Sequence, residues 1–273
     1  MNAITLRVKN APGFRVDASK LLPHALAELS LEALARLTLQ GHGETCALGD
    51  VFDIAQADAQ APSLVIEGDA RWLDRLGASM SEGTLTIHGD AGDCAGIGMT
   101  GGVLAIQGNA GDFVACEMQG GRVTVHGNVG DFAAGALPGD MEGMNGGVLA
   151  VHGSAGARLA DRMRRGTVMI GGDAGDFAAS RLIAGTVCIA GHTGARVGYG
   201  MRRGTVVLLN APPRMEPTFT EGKRGFDVFW LLLTRMLARE RAPFATLDGK
   251  ALPRRYAGDL AVDGRGELLI ANS

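Results

Sequence analysis

The chain has 273 residues, 46% of them hydrophobic, with a formal net charge of −3 and a pI of ≈ 6.1, a composition that suits one elongated core with terminal additions. Its longest apolar stretch, Phe226 to Leu233, is too short to span a bilayer, and no N-terminal signal pattern is visible. Cys46, Cys94, Cys116 and Cys188 show neither metal-type nor redox-type spacing, which points away from a disulfide scaffold and towards a reducing compartment, read as the cytoplasm.

From the start, ITLRV reads as a strand, and SKLLPHALAELSLEALARL reads as helical or turn material interrupted by Pro23. LTLQG and VFDIA read as further strands. This segment, residues 1–60, is expected to cap one end of a repeat array that begins just after it. LVIEGDA, from Leu64, is a divergent first repeat whose return carries two extra residues through RWLDRLGASM.

Between Gly77 and Asn210 one pattern is written seven times. A small residue, two variable residues, Met, two variable residues and Gly lead into alternating aliphatics and a closing Gly, as in GIGMTGGVLAIQG from Gly96 or ADRMRRGTVMIGG from Ala160. Copies start 19 residues apart, except that seven extra residues around GALPGDM separate the copies at Ala115 and Met141. The period survives this insertion, so the insertion belongs in a loop. The alternating pairs Leu85/Ile87, Leu104/Ile106, Val123/Val125, Leu149/Val151, Val168/Ile170, Val187/Ile189 and Val206/Leu208 each predict a short strand with one buried face. One such strand cannot bury its own apolar face, whereas stacking like positions at ~4.8 Å per strand does. Parallel strands joined by 19-residue crossovers predict an all-β fold: a single-stranded right-handed parallel β-helix over residues 61–210. The Gly-x-x-Gly-x-x-x-Gly/Ala run after each strand is expected to supply positive-φ corners.

Residues 211–273 break the pattern. APPRMEP leads into a predicted helix from about Gly225 to Arg241, apolar nearly all round its first half, which must cap the last repeat or dock on another subunit. YAGDLAVDGRGELLIA reads as a turn plus strands.

The regular columns do not add up to a catalytic site. His88, His126 and His152 share one outward strand position, but Gln107, Gly171 and Ala190 hold that position elsewhere, and no metal site is expected. The Asp/Asn columns, such as Asp90, Asn109 and Asn128, or Asp93, Asp112 and Asp131, recur at nearly every turn, as corner hydrogen bonding requires. Met80, Met99, Met118, Met144, Met163, Leu182 and Met201 read as core. No phosphate-binding loop is present.

Charge breaks the symmetry. From Pro62 to Gly146 there are 11 acids and 3 bases, and from Gly147 to Asn210 there are 3 acids and 8 bases, all arginine. Arg164/Arg165 and Arg202/Arg203 occupy equivalent positions two repeats apart, ~10 Å, with Ile183 and Ala184 between them. Arg158 and Arg196 take the place of Phe113, Phe132 and Phe177 in other repeats. These six arginines form a candidate surface for a polyanion or an acidic partner, set against an ordinary solvated face. The acidic first half and the lack of an aromatic stacking stripe argue against nucleic acid.

The repeated window, together with GDVFDI at Gly49 to Ile54, EGMNGG at Glu142 to Gly147 and the terminal YAGD and GRGELLI, resembles the C-subunit family of formylmethanofuran dehydrogenase. That family is itself similar to the C-terminal β-helix of glutamate synthase large subunits. The resemblance implies a non-catalytic scaffold in a hetero-oligomer, with a metal-dependent hydrolase subunit, a formyltransferase subunit and a dehydrogenase-like subunit as partners. In the bacterial formyltransferase/hydrolase complex a formyl group passes from tetrahydromethanopterin to a methanofuran-type carrier and is hydrolysed to formate. The carrier's glutamate-rich tail is then a candidate occupant of the arginine surface. An archaeal molybdenum or tungsten dehydrogenase is the alternative; arginine outnumbers lysine 22 to 4, which favours a G+C-rich, bacterial source. Two further readings are an independent ligand-binding β-helix and a detached glutamate synthase module. The sparse aromatics oppose the first, and the EGMNGG turn opposes the second.

Overall fold

The computed structural model describes residues 2–41, 43–222, 225–239 and 243–271. In chain order these form strand β1 (Asn2–Val8), β2 (Val16–Asp17), helices α1 (Pro23–Leu26) and α2 (Leu31–Arg36), β3 (Thr38–Gly41), β4 (Glu44–Ala47), α3 (Leu48–Val51) and β5 (Phe52–Asp58). The repeats contribute β6 (Ser63–Glu67), β7 (Leu73–Asp74), β8 (Thr84–His88), β9 (Val103–Ile106), β10 (Arg122–Val125), β11 (Asn145–Val151), β12 (Arg165–Ile170), β13 (Thr186–Ile189) and β14 (Thr205–Leu208). Then come β15 (Thr220–Glu221), α4 (Asp227–Leu237), β16 (Arg254–Gly258) and β17 (Gly266–Ile270).

The fold is mostly β. Thirteen strands form one open mixed sheet in the order β15-β16-β17-β14-β13-β12-β11-β10-β9-β8-β6-β1-β5, and β4-β3-β2-β7 form a second, smaller sheet. Within the large sheet β8 to β14 lie parallel, and their register follows the sequence period: Leu85 pairs with Leu104, Val168 with Val187 and Val187 with Val206. Across the insertion Val123 still meets Leu149, so the extra residues leave the stack as a loop. A second parallel column runs through single bridges from Ala70 by way of Ala91, Ala110, Val129, Ala155 and Ala174 to Thr193. Each repeat is thus hydrogen-bonded to the next on more than one side.

The core follows the columns. Every residue of the Met80-to-Met201 column is fully buried, as are nearly all the inward aliphatics, in one cluster that runs from Ile4 to Leu268. At ~25 cal/mol per Å² of apolar surface this continuous core supplies the main driving force, because no repeat has a core of its own.

The corners carry the Asp/Asn columns. Asp93, Asp112 and Asp131 each accept, through Oδ1, the backbone N–H one repeat on, from Asp112 at 3.0 Å, Asp131 at 2.8 Å and Ala157 at 2.7 Å. Asp90, Asn109 and Asn128 do the same for Asn109, Asn128 and Ser154 at 2.7–2.8 Å. This spends the carboxylates on otherwise unsatisfied backbone donors. The second glycine of each corner run serves close approach, since a Cβ on Gly111 would collide with Oδ1 of Asp93, while the third position of the run has the expected positive φ, 71° at Gly96 and Gly198 and 55° to 57° at Ala115, Ala134, Ala160 and Ala179. The left-handed conformation falls on larger residues too, and Cys94, Phe113, Phe132, Arg158, Phe177 and Arg196 all have φ of 57° to 61°. Such backbone costs about 1–2 kcal/mol per residue, and interrepeat bonds such as Phe113 N–H to Asp131 O at 2.8 Å hold it in place.

At the N-terminal side β1 inserts between β5 and β6, with Leu6 opposite Ile54 on one side and Ile66 on the other. Pro23 starts the short α1 and Ser30 caps α2, its hydroxyl accepting the Ala33 N–H at 3.3 Å. At the other side β17 adds a parallel strand to β14, with Val206 opposite Leu268, and the antiparallel β16 and β15 complete the edge.

The predicted helix is present as α4, and the Glu240 and Arg241 part of its expected span lies outside the described residues. It neither caps the last repeat nor stands free. Trp230, Leu233 and Leu237 pack on Ala150, Met169, Cys188, Val207 and Leu269, the outward residues of β11 to β14 and β17. Sequence reasoning missed this docking because outward strand positions ordinarily face water, yet here they turn apolar from Met169 onward. Of the described helices, none is long and apolar enough to cross a membrane.

Candidate interaction surface

In each repeat two residues lie between the buried Met and the glycine that opens the strand. Their backbone is laddered, with Arg164 N–H donating to Met144 O at 2.8 Å, Ile183 N–H to Met163 O at 2.9 Å and Arg202 N–H to Leu182 O at 2.8 Å. Their side chains therefore leave the stack in register. Arg164, Arg165, Arg202 and Arg203, with Ile183 and Ala184 between them, line a hollow of ≈ 370 Å³. The two arginine pairs thus share one hollow with Ile183 and Ala184 between them, which is the juxtaposition the sequence predicted.

The four arginines differ in their partners. Arg164 is ion-paired with Glu142 on the inserted turn. Among the described residues Arg165, Arg202 and Arg203 have no carboxylate partner. Three positive charges therefore remain uncompensated on one exposed trough.

Arg158 and Arg196 are elsewhere. They stand at the next corner in a ladder with the aromatics they replace. Phe113 and Phe132 stack at 5.1 Å between ring centroids, and the Arg158 guanidinium lies 5.8 Å from the Phe132 ring and 4.9 Å from the Phe177 ring. Arg196 continues it at 5.3 Å from Phe177 and 6.0 Å from Tyr199. The expected absence of an aromatic stacking stripe is thus corrected: a period of 19 places rings far apart in sequence directly over one another. The contacts are cation–π in kind and hold the corner together, at about 0.5–1 kcal/mol each when exposed.

The trough opens onto a second hollow of ≈ 460 Å³ whose lining includes Met141, Arg162, Arg181, Ile183, Tyr199 and Val262. The arginine count alone did not single out Arg162, Arg181, Met141 or Tyr199 as neighbours. The usable signal was positional: Arg162 and Arg181 both directly precede the buried Met/Leu column. Arg181 is tied to the buried Asp161 through two bonds of 3.0 and 2.6 Å. Asp161 also accepts the Ser180 hydroxyl. Asp259 at the far rim is buried and accepts N–H groups of Gly200 at 2.8 Å and Ala261 at 2.9 Å. Burial alone would raise its pKa, but these hydrogen bonds, with one from Thr218, hold it below the ordinary carboxylate range.

The histidines meet as the stacking requires: His126 and His152 lie edge to face with centroids 4.5 Å apart, and His126 Nδ1 is 3.3 Å from Ile106 O. Among the described residues no three His, Cys, Asp or Glu side chains are grouped to hold a metal ion. Burial pushes the Cys188 thiol up to about 12 and raises that of Cys116 as well.

A stack of near-identical β repeats with one basic, partly apolar face defines a class, the glycine-punctuated repeat proteins. Residues 70–221 match the family model of the GXGXG motif, and the chain belongs to that family. It is 41% identical over 88 residues to the Fhc C-subunit of the formyltransferase/hydrolase complex of Methylorubrum extorquens, and 27% identical over 97 residues to the C-subunit of tungsten-containing formylmethanofuran dehydrogenase 2 of Methanococcus maripaludis. These alignments span 32% and 36% of each relative and the same shares of this chain, so about a third of their length is matched. In three dimensions the match runs end to end. A chain of the FhcABCD complex of Methylorubrum extorquens, crystallised with methylofuran, superposes with a TM-score of 0.92 at 40% identity, covering 98% of this chain and 100% of that one.

Proposed function

We propose that the chain is the non-catalytic scaffold subunit of a formyltransferase/hydrolase complex, which moves a formyl group from 5-formyl-tetrahydromethanopterin to a methanofuran-type carrier and hydrolyses it to formate. The observation that carries this is the end-to-end match to a chain of such a complex, and the sequence columns agree, since stacking accounts for each of them. The metal-dependent hydrolase, formyltransferase and dehydrogenase-like chains are its partners, and catalysis and metal belong to them. Residues 61–210 act as a right-handed parallel β-helix, with residues 1–60 and 211–273 covering its ends and side in a cytoplasmic assembly. Arg164, Arg165, Arg202 and Arg203, backed by Arg158 and Arg196, form the surface that meets a polyanion or an acidic partner. A subunit of an archaeal molybdenum or tungsten dehydrogenase is the weaker reading, supported by relatives of lower identity.

Affinity purification of the tagged chain from its native cell tests this. The expected result is co-purification of three further chain types, with turnover in the complex and none in the isolated chain. Formyltransferase or hydrolase turnover by the isolated chain would overturn the reading.

A further inference from the structure

The inserted turn is the longest interruption of the repeat, and it exposes an apolar side chain. Met141 at its tip is 74% exposed, more than any other large hydrophobic residue described. Both its neighbours are held. The carbonyl of Asp140 accepts a bond from Arg162, and Glu142 pairs with Arg164. The tip is therefore braced by the repeat beside it, not left as a loose loop.

Around the same hollow stand Tyr199, 49% exposed, and Val262, 42% exposed, brought there from another repeat and from the C-terminal turn. Asp259, which accepts Gly200 N–H, ties those two segments together. Three separate segments thus converge to present apolar surface to water, rimmed by Arg162, Arg181 and Arg202 and continuing into the trough of uncompensated Arg165 and Arg203. Met, Tyr and Arg are the residues enriched at protein interfaces, and an apolar centre with a charged rim is the usual interface plan.

We infer that this hollow and the adjoining trough are one docking surface, and that its occupant is an acidic polypeptide segment that belongs to a partner chain and bears a large apolar side chain. The charge argues for an acidic occupant, because three guanidiniums here lack a counter-ion among the described residues. The apolar centre argues for a protein, because a polyglutamate-like tail would satisfy the arginines and gain nothing from Met141, Tyr199 and Val262. The inference rests on the scaffold reading and commits it to a face and a partner chemistry.

Three full-length tagged chains, the unaltered protein, Met141→Asp and the double variant Arg202→Ser/Arg203→Ser, test it by recovery of partner chains from native cells and by binding of a synthetic oligoglutamate. Thermal melting confirms that each is folded, which exposed positions permit. Met141→Asp is expected to reduce partner recovery at least ten-fold and leave oligoglutamate binding unchanged, and the arginine variant to weaken both. A photo-crosslinking amino acid placed at position 141 is expected to join a segment rich in Asp and Glu. Undiminished recovery with Met141→Asp, or no protein cross-link from position 141 in an assembled complex, overturns the inference while leaving the scaffold reading intact. If the unaltered chain recovers no partner at all, both fall.

Discussion

The repeats before the inserted turn and those after it share a backbone, a core column and a corner ladder, yet they present opposite surfaces. Before the turn the exposed corner positions hold residues such as Glu82, Thr100 and Gln119; in the later repeats they hold Arg164, Arg165, Arg202 and Arg203. The outward strand face changes too, from Thr86 and Thr124 to Met169, Cys188 and Val207 beneath α4. Stacking constrains the inward and corner positions of every repeat equally and leaves the remaining positions open. Function can be written there without disturbing the fold.

The largest expected break in the comparison comes from the helix that only the later repeats carry. Trp230→Ala removes the main buried contact of α4, at about 3–5 kcal/mol for a buried aromatic, and frees the arm from the outer face of β12 to β14. Labelling of Cys188 by a thiol reagent, which burial suppresses in the intact protein, is then expected to rise sharply while Cys116 under the first-half corner stays protected. Next, Met99→Ala and Met163→Ala each delete a fully buried side chain from equivalent positions of the two halves. Both are expected to lose about 2–5 kcal/mol by chemical denaturation, and similar losses show that the core does not distinguish the halves.

Smaller effects sharpen the contrast. Asp112→Ala and Asp176→Ala each orphan one corner N–H, that of Asp131 at 2.8 Å and that of Ala195 at 2.7 Å, and are expected to cost about 1 kcal/mol alike. Acid acts on the second half through Asp259. Its folded pKa lies below the unfolded value of about 3.9, so its contribution is complete above that value and is lost as pH falls through the folded pKa. Hydrogen exchange at Gly200 and Ala261 measured down a pH series should show this loosening, and Asp259→Asn should abolish its pH dependence. Arg202→Ser/Arg203→Ser is expected to leave stability within about 0.5 kcal/mol, the range of ordinary surface changes, and to act on binding alone.

Much of this was legible in the one-dimensional chain. The Met column, the inward aliphatics and the turn carboxylates each took the position their spacing required. The pairing of Arg164/Arg165 with Arg202/Arg203 across Ile183 and Ala184 was equally plain. Arg158 and Arg196 stand in the phenylalanine column, as their position in the repeat indicates, at a corner beside the trough and not in its lining. Neighbouring corners of one repeat project side chains in different directions, and a charge count along the chain does not separate them.

The period determined the translationally repeated features because stacking needs only one instruction: residue i lies over residue i+19, a rule that every column resumes after the extra residues of the first repeat and of the inserted turn. Tertiary structure alone decided the rest. Where α4 docks, how β1 and β17 join the stack, and which segments gather around Met141 all depend on contacts between stretches that occur once. Their partners are chosen by the shape and free apolar surface of the assembled stack, and that surface does not exist until the repeats have come together.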